Sequence, residues 1–214
     1  MPASVTLVDM TAPASTSAPA TVATPRDAVV IMGAWLALLW IVEAVEQVTR
    51  GSLLWLGISP RQLEDLPQIY TAPLVHLDWQ HLMGNSVPFF ILGLVILLSG
   101  VWRWLVSTFA SLTSSGLAVW LLSPPNTVTV GISGLIFGWL TYLLTRGIFS
   151  RNWRQIALAV VVFAVYGGIL WGVLPGSPGV SWLGHLGGAV GGVAAAWFLH
   201  STSERRRRLS SQGR

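Results

Sequence analysis

Four polar residues have the types and the spacing to carry acyl transfer: Ser133, His185, His81 and Asn85. Ser133 stands in Gly131-Ile132-Ser133-Gly134, directly after the Pro-containing stretch Ser123–Val130 and at the start of an apolar run. A serine hydroxyl attacks a carbonyl when a base within hydrogen-bond reach takes its proton, and histidine is the usual base. His185, flanked by Gly184, Gly187 and Gly188, is the base on offer. A serine that opens a helix also lies among unpaired backbone N–H groups at the positive dipole end, which favours the charge of a tetrahedral oxyanion. His81 and Asn85 stand at i, i+4, on one helix face, as a further polar group. No Asp or Glu occurs between Leu82 and Ser203, so the arrangement reads as a dyad; Asp78 is the carboxylate that could reach in from a loop. The chain has no Cys, no H-E-x-x-H and no Asp within an apolar stretch. Metal-dependent and aspartyl mechanisms therefore fit poorly, and neither a metal nor another cofactor is expected.

These residues sit in a chain of 214 residues that is 53% hydrophobic and only 9% charged, against roughly a quarter charged in soluble domains. Residues 104–145 and 155–203 contain no Asp, Glu, Lys or Arg, and each run is long enough for two crossings of ~20 residues through a hydrocarbon layer ~30 Å thick. This excludes a soluble globule, a disordered chain and a nucleic-acid binder. Six spans are expected, at about Val29–Val48, Leu82–Ser99, Trp104–Leu122, Gly131–Phe149, Ile156–Leu174 and Trp182–His200. The fold class is thus an all-α polytopic membrane bundle of residues 29–200. A disordered Ala/Ser/Thr/Pro-rich tail precedes it over residues 1–28, and a basic tail follows over residues 201–214. The long first connection, Thr49 to His81, mixes Arg61, Glu64 and Asp65 with Leu, Trp and Ile, as a segment lying in one leaflet does.

All twelve basic residues are Arg. With the N-terminus cytoplasmic, ten of them (Arg26, Arg103, Arg146, Arg151, Arg154, Arg205 to Arg208 and Arg214) fall on the inner side, leaving Arg50 and Arg61 outside. That orientation brings Ser133, His81, Asn85 and His185 to the same, outer side. With Arg146 at the inner interface, Ser133 lies 13 residues above it and roughly 10 Å below the outer surface. Close approach of the fourth and sixth spans is encoded by G-x-x-x-G steps at Gly134/Gly138 and at Gly184/Gly188/Gly192. Trp55, Trp79, Trp102, Trp104, Trp153 and Trp182 fall at span ends and read as interfacial or packing rings, and Glu43, Glu46 and His200 as interface residues. The Arg-only composition fits a GC-rich genome, hence a bacterial plasma membrane with both termini cytoplasmic.

A lone serine or histidine in a membrane helix is usually a packing or helix–helix hydrogen-bonding residue. The combination of G-x-S-G with H-x-x-x-N and G-H-x-G-G is what carries the catalytic reading. At these residues, from about Trp35 to His200, the sequence resembles the rhomboid family of intramembrane serine proteases. The resemblance implies Ser133 as nucleophile and His185 as general base and then acid. It implies an oxyanion hole from His81, Asn85 and the Ser133 N–H, with Gly131 and Gly134 beside the substrate and Phe137 against the catalytic His. His76, five residues before His81, matches a recurrent family histidine of structural role. Many members carry Trp-Arg in the first loop, whereas here Trp55 and Arg61 are separated. The implied partners are transmembrane protein substrates and the bilayer; oligomeric state is left open. The competing readings are a catalytically inactive rhomboid-like scaffold and a small transporter, for which Glu43 and Glu46 are the nearest thing to mid-membrane charges.

Overall fold

The computed structural model describes residues 23–176 and 179–212, so most of the tail expected over residues 1–28 lies outside the described residues. Among the described residues six α-helices follow one another: α1 Pro25–Val48, α2 Trp79–Leu98, α3 Val101–Leu122, α4 Ser133–Ser150, α5 Trp153–Tyr166 and α6 Trp182–Gln212. The chain is a polytopic helical bundle, and each expected span is present as a helix. The ends differ where local chemistry says they should. Thr24 caps α1 by accepting from the Asp27 N–H, with Pro25 in the first turn, so this helix begins four residues before the expected Val29. The basic segment expected as a tail after His200 instead continues α6 as helix to Gln212. The fifth span is α5 prolonged by a 3-10 segment, Gly167–Val173, after the Gly167-Gly168 pair.

Five spans are long and apolar enough to cross a membrane on those grounds alone, and α4 is the exception. The reason is its place in the bundle. Ten of its eighteen residues are buried, among them Trp139, Tyr142 and Leu143, so protein rather than lipid surrounds it. Its turn into α5 is made by Arg151 in the left-handed region (φ 50°) and by Asn152, whose side chain accepts from the N–H groups of Arg154 and Gln155.

Glycine sets the spacing of the helices around α4. A methyl group at Gly188 would run into the Gly134 carbonyl and one at Gly192 into the Gly138 carbonyl, so α6 lies backbone-to-backbone on α4 through the expected steps. A second glycine face of α6, absent from the sequence reading, meets α3: a methyl at Gly187 would stand 2.6 Å from the Ser114 carbonyl and one at Gly191 2.5 Å from that of Ala110. Hydroxyls bridge the same seams, with Ser115 donating to the Gly184 carbonyl at 2.8 Å and Thr141 to that of Ala189 at 2.8 Å.

The first connection contains three 3-10 segments, Leu54–Leu56, Leu63–Ile69 and Ala72–Leu74. It docks through Arg61, held at φ 62°, whose guanidinium donates to the carbonyls of Leu121 (3.2 Å) and Ser123 (2.9 Å) at the C-terminal end of α3. Trp120 returns a bond from its indole N–H to the Gln62 carbonyl at 2.8 Å. Arg61 makes this attachment without Trp55, and Tyr70 adds a hydroxyl contact to Thr113 at 2.8 Å.

One expectation is corrected here. Glu43 and Glu46 are buried, at 0% and 4% exposure, rather than interfacial. Glu46 accepts from the Leu53 N–H at 2.7 Å where the loop departs. Glu43 accepts from the Gln47 amide at 2.7 Å, and that amide also reaches the Leu77 carbonyl where the loop returns. Glu46 thus holds the loop's departing end directly, whereas Glu43 meets the returning end only through Gln47 and keeps its Oε2 buried without a hydrogen-bond partner. Trp104, partly buried near the start of α3, takes a packing role: its indole N–H is buried and its ring lies 6.2 Å from that of Trp139.

Candidate active site

Ser133 is the first residue of α4, after Ile132 and the strained Gly131 (φ 111°). No side chain caps this helix; the Leu135 N–H donates to the Ile132 carbonyl at 3.0 Å, which leaves the N–H groups of Ser133 and Gly134 at the positive dipole end. The segment leading to it is pinned by the first loop at two points. Ile58 and Thr129 exchange both backbone bonds (3.0 and 3.1 Å), and the Gly131 N–H donates to the Ala72 carbonyl at 3.0 Å. Gly131 must be glycine on two counts: its φ, and a methyl there would stand 2.7 Å from His81 Cε1.

Across the α4–α6 seam, His185 lies one residue after Gly184, in a first turn capped by Ser181, whose hydroxyl accepts from the Gly184 N–H. Its Nε2 is 2.8 Å from Ser133 Oγ, and its Nδ1 is 2.9 Å from the Gly172 carbonyl. A carbonyl only accepts, so Nδ1 carries the proton and Nε2 is free to accept from the Ser133 hydroxyl. Phe137, one turn into α4, stacks on the imidazole with centroids 4.0 Å apart and planes 9° off parallel. The ring is thus fixed by a face, an edge and its partner serine.

His81 and Asn85 enter from α2, which Asp78 starts by accepting the His81 N–H at 2.8 Å. Asp78 is committed to this cap, so it does not serve as a third member reaching in to the dyad. The His81 ring rests against Gly131 on one side and, edge to face at 5.0 Å, against His76 on the other. Asn85 is buried, and its side-chain N–H2 has no hydrogen-bond partner. A buried amide left unpaired costs about 1–3 kcal/mol, as a donor awaiting an oxygen does. His76, with no exposed surface, is held neutral: burial, with the neighbouring His81, lowers its pKa to about 4 against the partial opposition of Asp78.

The structure therefore brings Ser133, His185 and Phe137 into direct contact, and Gly131 against His81. Gly134 sits under the Gly184 carbonyl, with Asn85 one helical turn beyond His81. The Gly172 carbonyl escaped sequence reasoning, because a backbone acceptor leaves no mark in residue type. Among the described residues no group of three His, Cys, Asp or Glu could hold a metal ion.

A rhomboid domain model matches residues 63–202, a range containing all of these positions. An uncharacterized protein of Mycobacterium tuberculosis is 40% identical over 91% of this chain and 86% of its own length. One of Mycobacterium leprae is 41% identical over 84% of this chain and 74% of its own. Rhomboid-like protein 11, chloroplastic, of Arabidopsis thaliana is 30% identical over 62% and 52% of the two chains. With the domain match running from the docked first loop through α6 and spanning both halves of the serine–histidine contact, this chain belongs to the rhomboid family of membrane proteins.

Proposed function

We propose that the protein is an intramembrane serine endopeptidase that cuts transmembrane segments of other membrane proteins near the outer face. The observation that carries this reading is the 2.8 Å contact between Ser133 Oγ and a His185 Nε2 that is unprotonated because Nδ1 is tied to Gly172. In that tautomer His185 takes the hydroxyl proton as Oγ attacks the scissile carbonyl. The oxyanion forms at the N-terminus of α4, within reach of the Ser133 N–H, His81 and the unpaired Asn85 amide. His185 then passes its proton to the departing amine. Water, deprotonated by the same imidazole, releases the acyl group in reverse order.

The substrate reading follows from depth. A membrane helix hides each peptide bond in its own hydrogen bonds, and exposing N–H and C=O groups in lipid costs several kcal/mol. Cleavage favours helices weakened by Gly or Pro near the outer boundary, with a small residue before the cut to fit beside Gly131; Gly134, expected there too, is instead packed under α6. The protein resides in a bacterial plasma membrane with both termini cytoplasmic. Labelling with a fluorophosphonate in detergent tests the chemistry. Wild type should be modified at Ser133 and Ser133→Ala should not; an unlabelled wild type, or equal labelling of both, refutes the proposal.

A further inference from the structure

We propose that Gly172 is a positioning residue: its main-chain carbonyl, freed by Pro175, does for His185 what a carboxylate does in a three-membered triad. The proposal rests on the serine-protease reading for its consequence on turnover, though not for its geometry. Gly172 lies in the 3-10 segment Gly167–Val173, where each carbonyl ordinarily accepts from the N–H three residues on. For Gly172 that residue is Pro175, which has no N–H and which forces Leu174 into extended backbone (ψ 141°). The helical partner is absent by sequence, and the His185 Nδ1–H takes the vacant acceptor at 2.9 Å.

The side chain at 172 must also be missing. A methyl there would stand 2.8 Å from Phe137 Cζ and 3.1 Å from His185 Nδ1, so glycine lets the backbone close on the edge of the stacked rings. The requirement is local, because a methyl at Gly168 in the same segment meets nothing within 4 Å. None of residues 167–173 is buried. Ile169 and Leu170 pack partly against the bundle core, and the orientation of His185 depends on how this turn is seated rather than on a buried acid.

Three variants test this. Gly172→Ala should lower kcat on a model transmembrane substrate roughly 10- to 100-fold with KM nearly unchanged, since the carbonyl touches neither substrate nor serine. Gly168→Ala should stay within twofold of wild type. Replacing Val173 by its α-hydroxy analogue turns the Gly172 carbonyl into an ester, a weaker acceptor, without adding an atom near the rings; it should also lower kcat. The deciding readout is ¹⁵N NMR of His185. Wild type should show a single Nδ1–H tautomer, and both the Ala and ester variants a mixture with Nε2–H. An unchanged tautomer in both variants overturns the proposal, whatever their rates. A wild type that shows no turnover refutes the protease reading instead, and the tautomer measurement, which needs no turnover, then decides the positioning claim.

Discussion

The glycine seam between α4 and α6 makes activity depend on a methyl group placed away from the dyad. In Gly188→Ala the new Cβ would fall against the Gly134 carbonyl, well inside the 3.4–4 Å of ordinary contact. The neighbouring atoms are backbone, with no flexible side chain to swing aside, so the helices must part by on the order of 1 Å; overpacking of this kind costs roughly 1–3 kcal/mol. Ser133 adjoins Gly134 and His185 lies three residues before Gly188, so the same displacement stretches the 2.8 Å Nε2···Oγ contact beyond hydrogen-bond range. A misplacement of that size lowers turnover about 100-fold. Gly33→Ala is the control, since a methyl there meets nothing within 4 Å. The assay pairs thermal unfolding in detergent with the rate of fluorophosphonate labelling. Loss of labelling in Gly188→Ala, with Gly33→Ala unaffected, is expected. A Gly188→Ala protein that melts and labels like wild type refutes the claim that this seam sets the dyad distance.

Replacing Asn85 by Ala should lower kcat about 100-fold with little change in KM, and His81→Ala should act in the same direction; steady-state kinetics showing both singles and the double unchanged would remove these donors from the site. His76, neutral in the fold with a pKa of about 4 against an ordinary 6.5, binds a proton more readily once unfolded. Its burial therefore destabilises the protein progressively as pH falls from 6.5 to 4, by about 3 kcal/mol at the lower end, and has no such effect above 6.5. Unfolding midpoints across that range should show a shallower loss for His76→Leu than for wild type. Reporter fusions after residue 60 and at the C-terminus should report opposite compartments, and the same compartment for both would break the six-span topology.

Much of this was legible in the sequence because membrane burial makes polar residues scarce and glycine spacing informative. Ser133 and His185 could be paired across 52 residues because their spans' ends and the G-x-x-x-G steps both pointed to one seam, whereas Phe137 came only from the family resemblance. The α3–α6 contact at Gly187 and Gly191 has the same spacing, but its partners are the backbones of Ser114 and Ala110, which no residue type announces. Glu43 and Glu46 misled because acids near a span end usually face water, whereas these two are turned inward to hold Gln47 and the Leu53 N–H. The α4 helix was legible as a span from its uncharged run, even though its Ser, Gly, Thr and Arg leave it less apolar than its neighbours.

The central claim is that Ser133 and His185 act together on a peptide bond inside the membrane. Its most direct test is cleavage of a model transmembrane substrate, with Gly or Pro near its outer boundary, by purified protein in proteoliposomes. Wild type should cut it, while Ser133→Ala and His185→Ala, each shown to be folded by its melting temperature, should not. Cleavage by either variant at the wild-type rate, or none by wild type on any helix-weakened substrate of the series, would contradict the account.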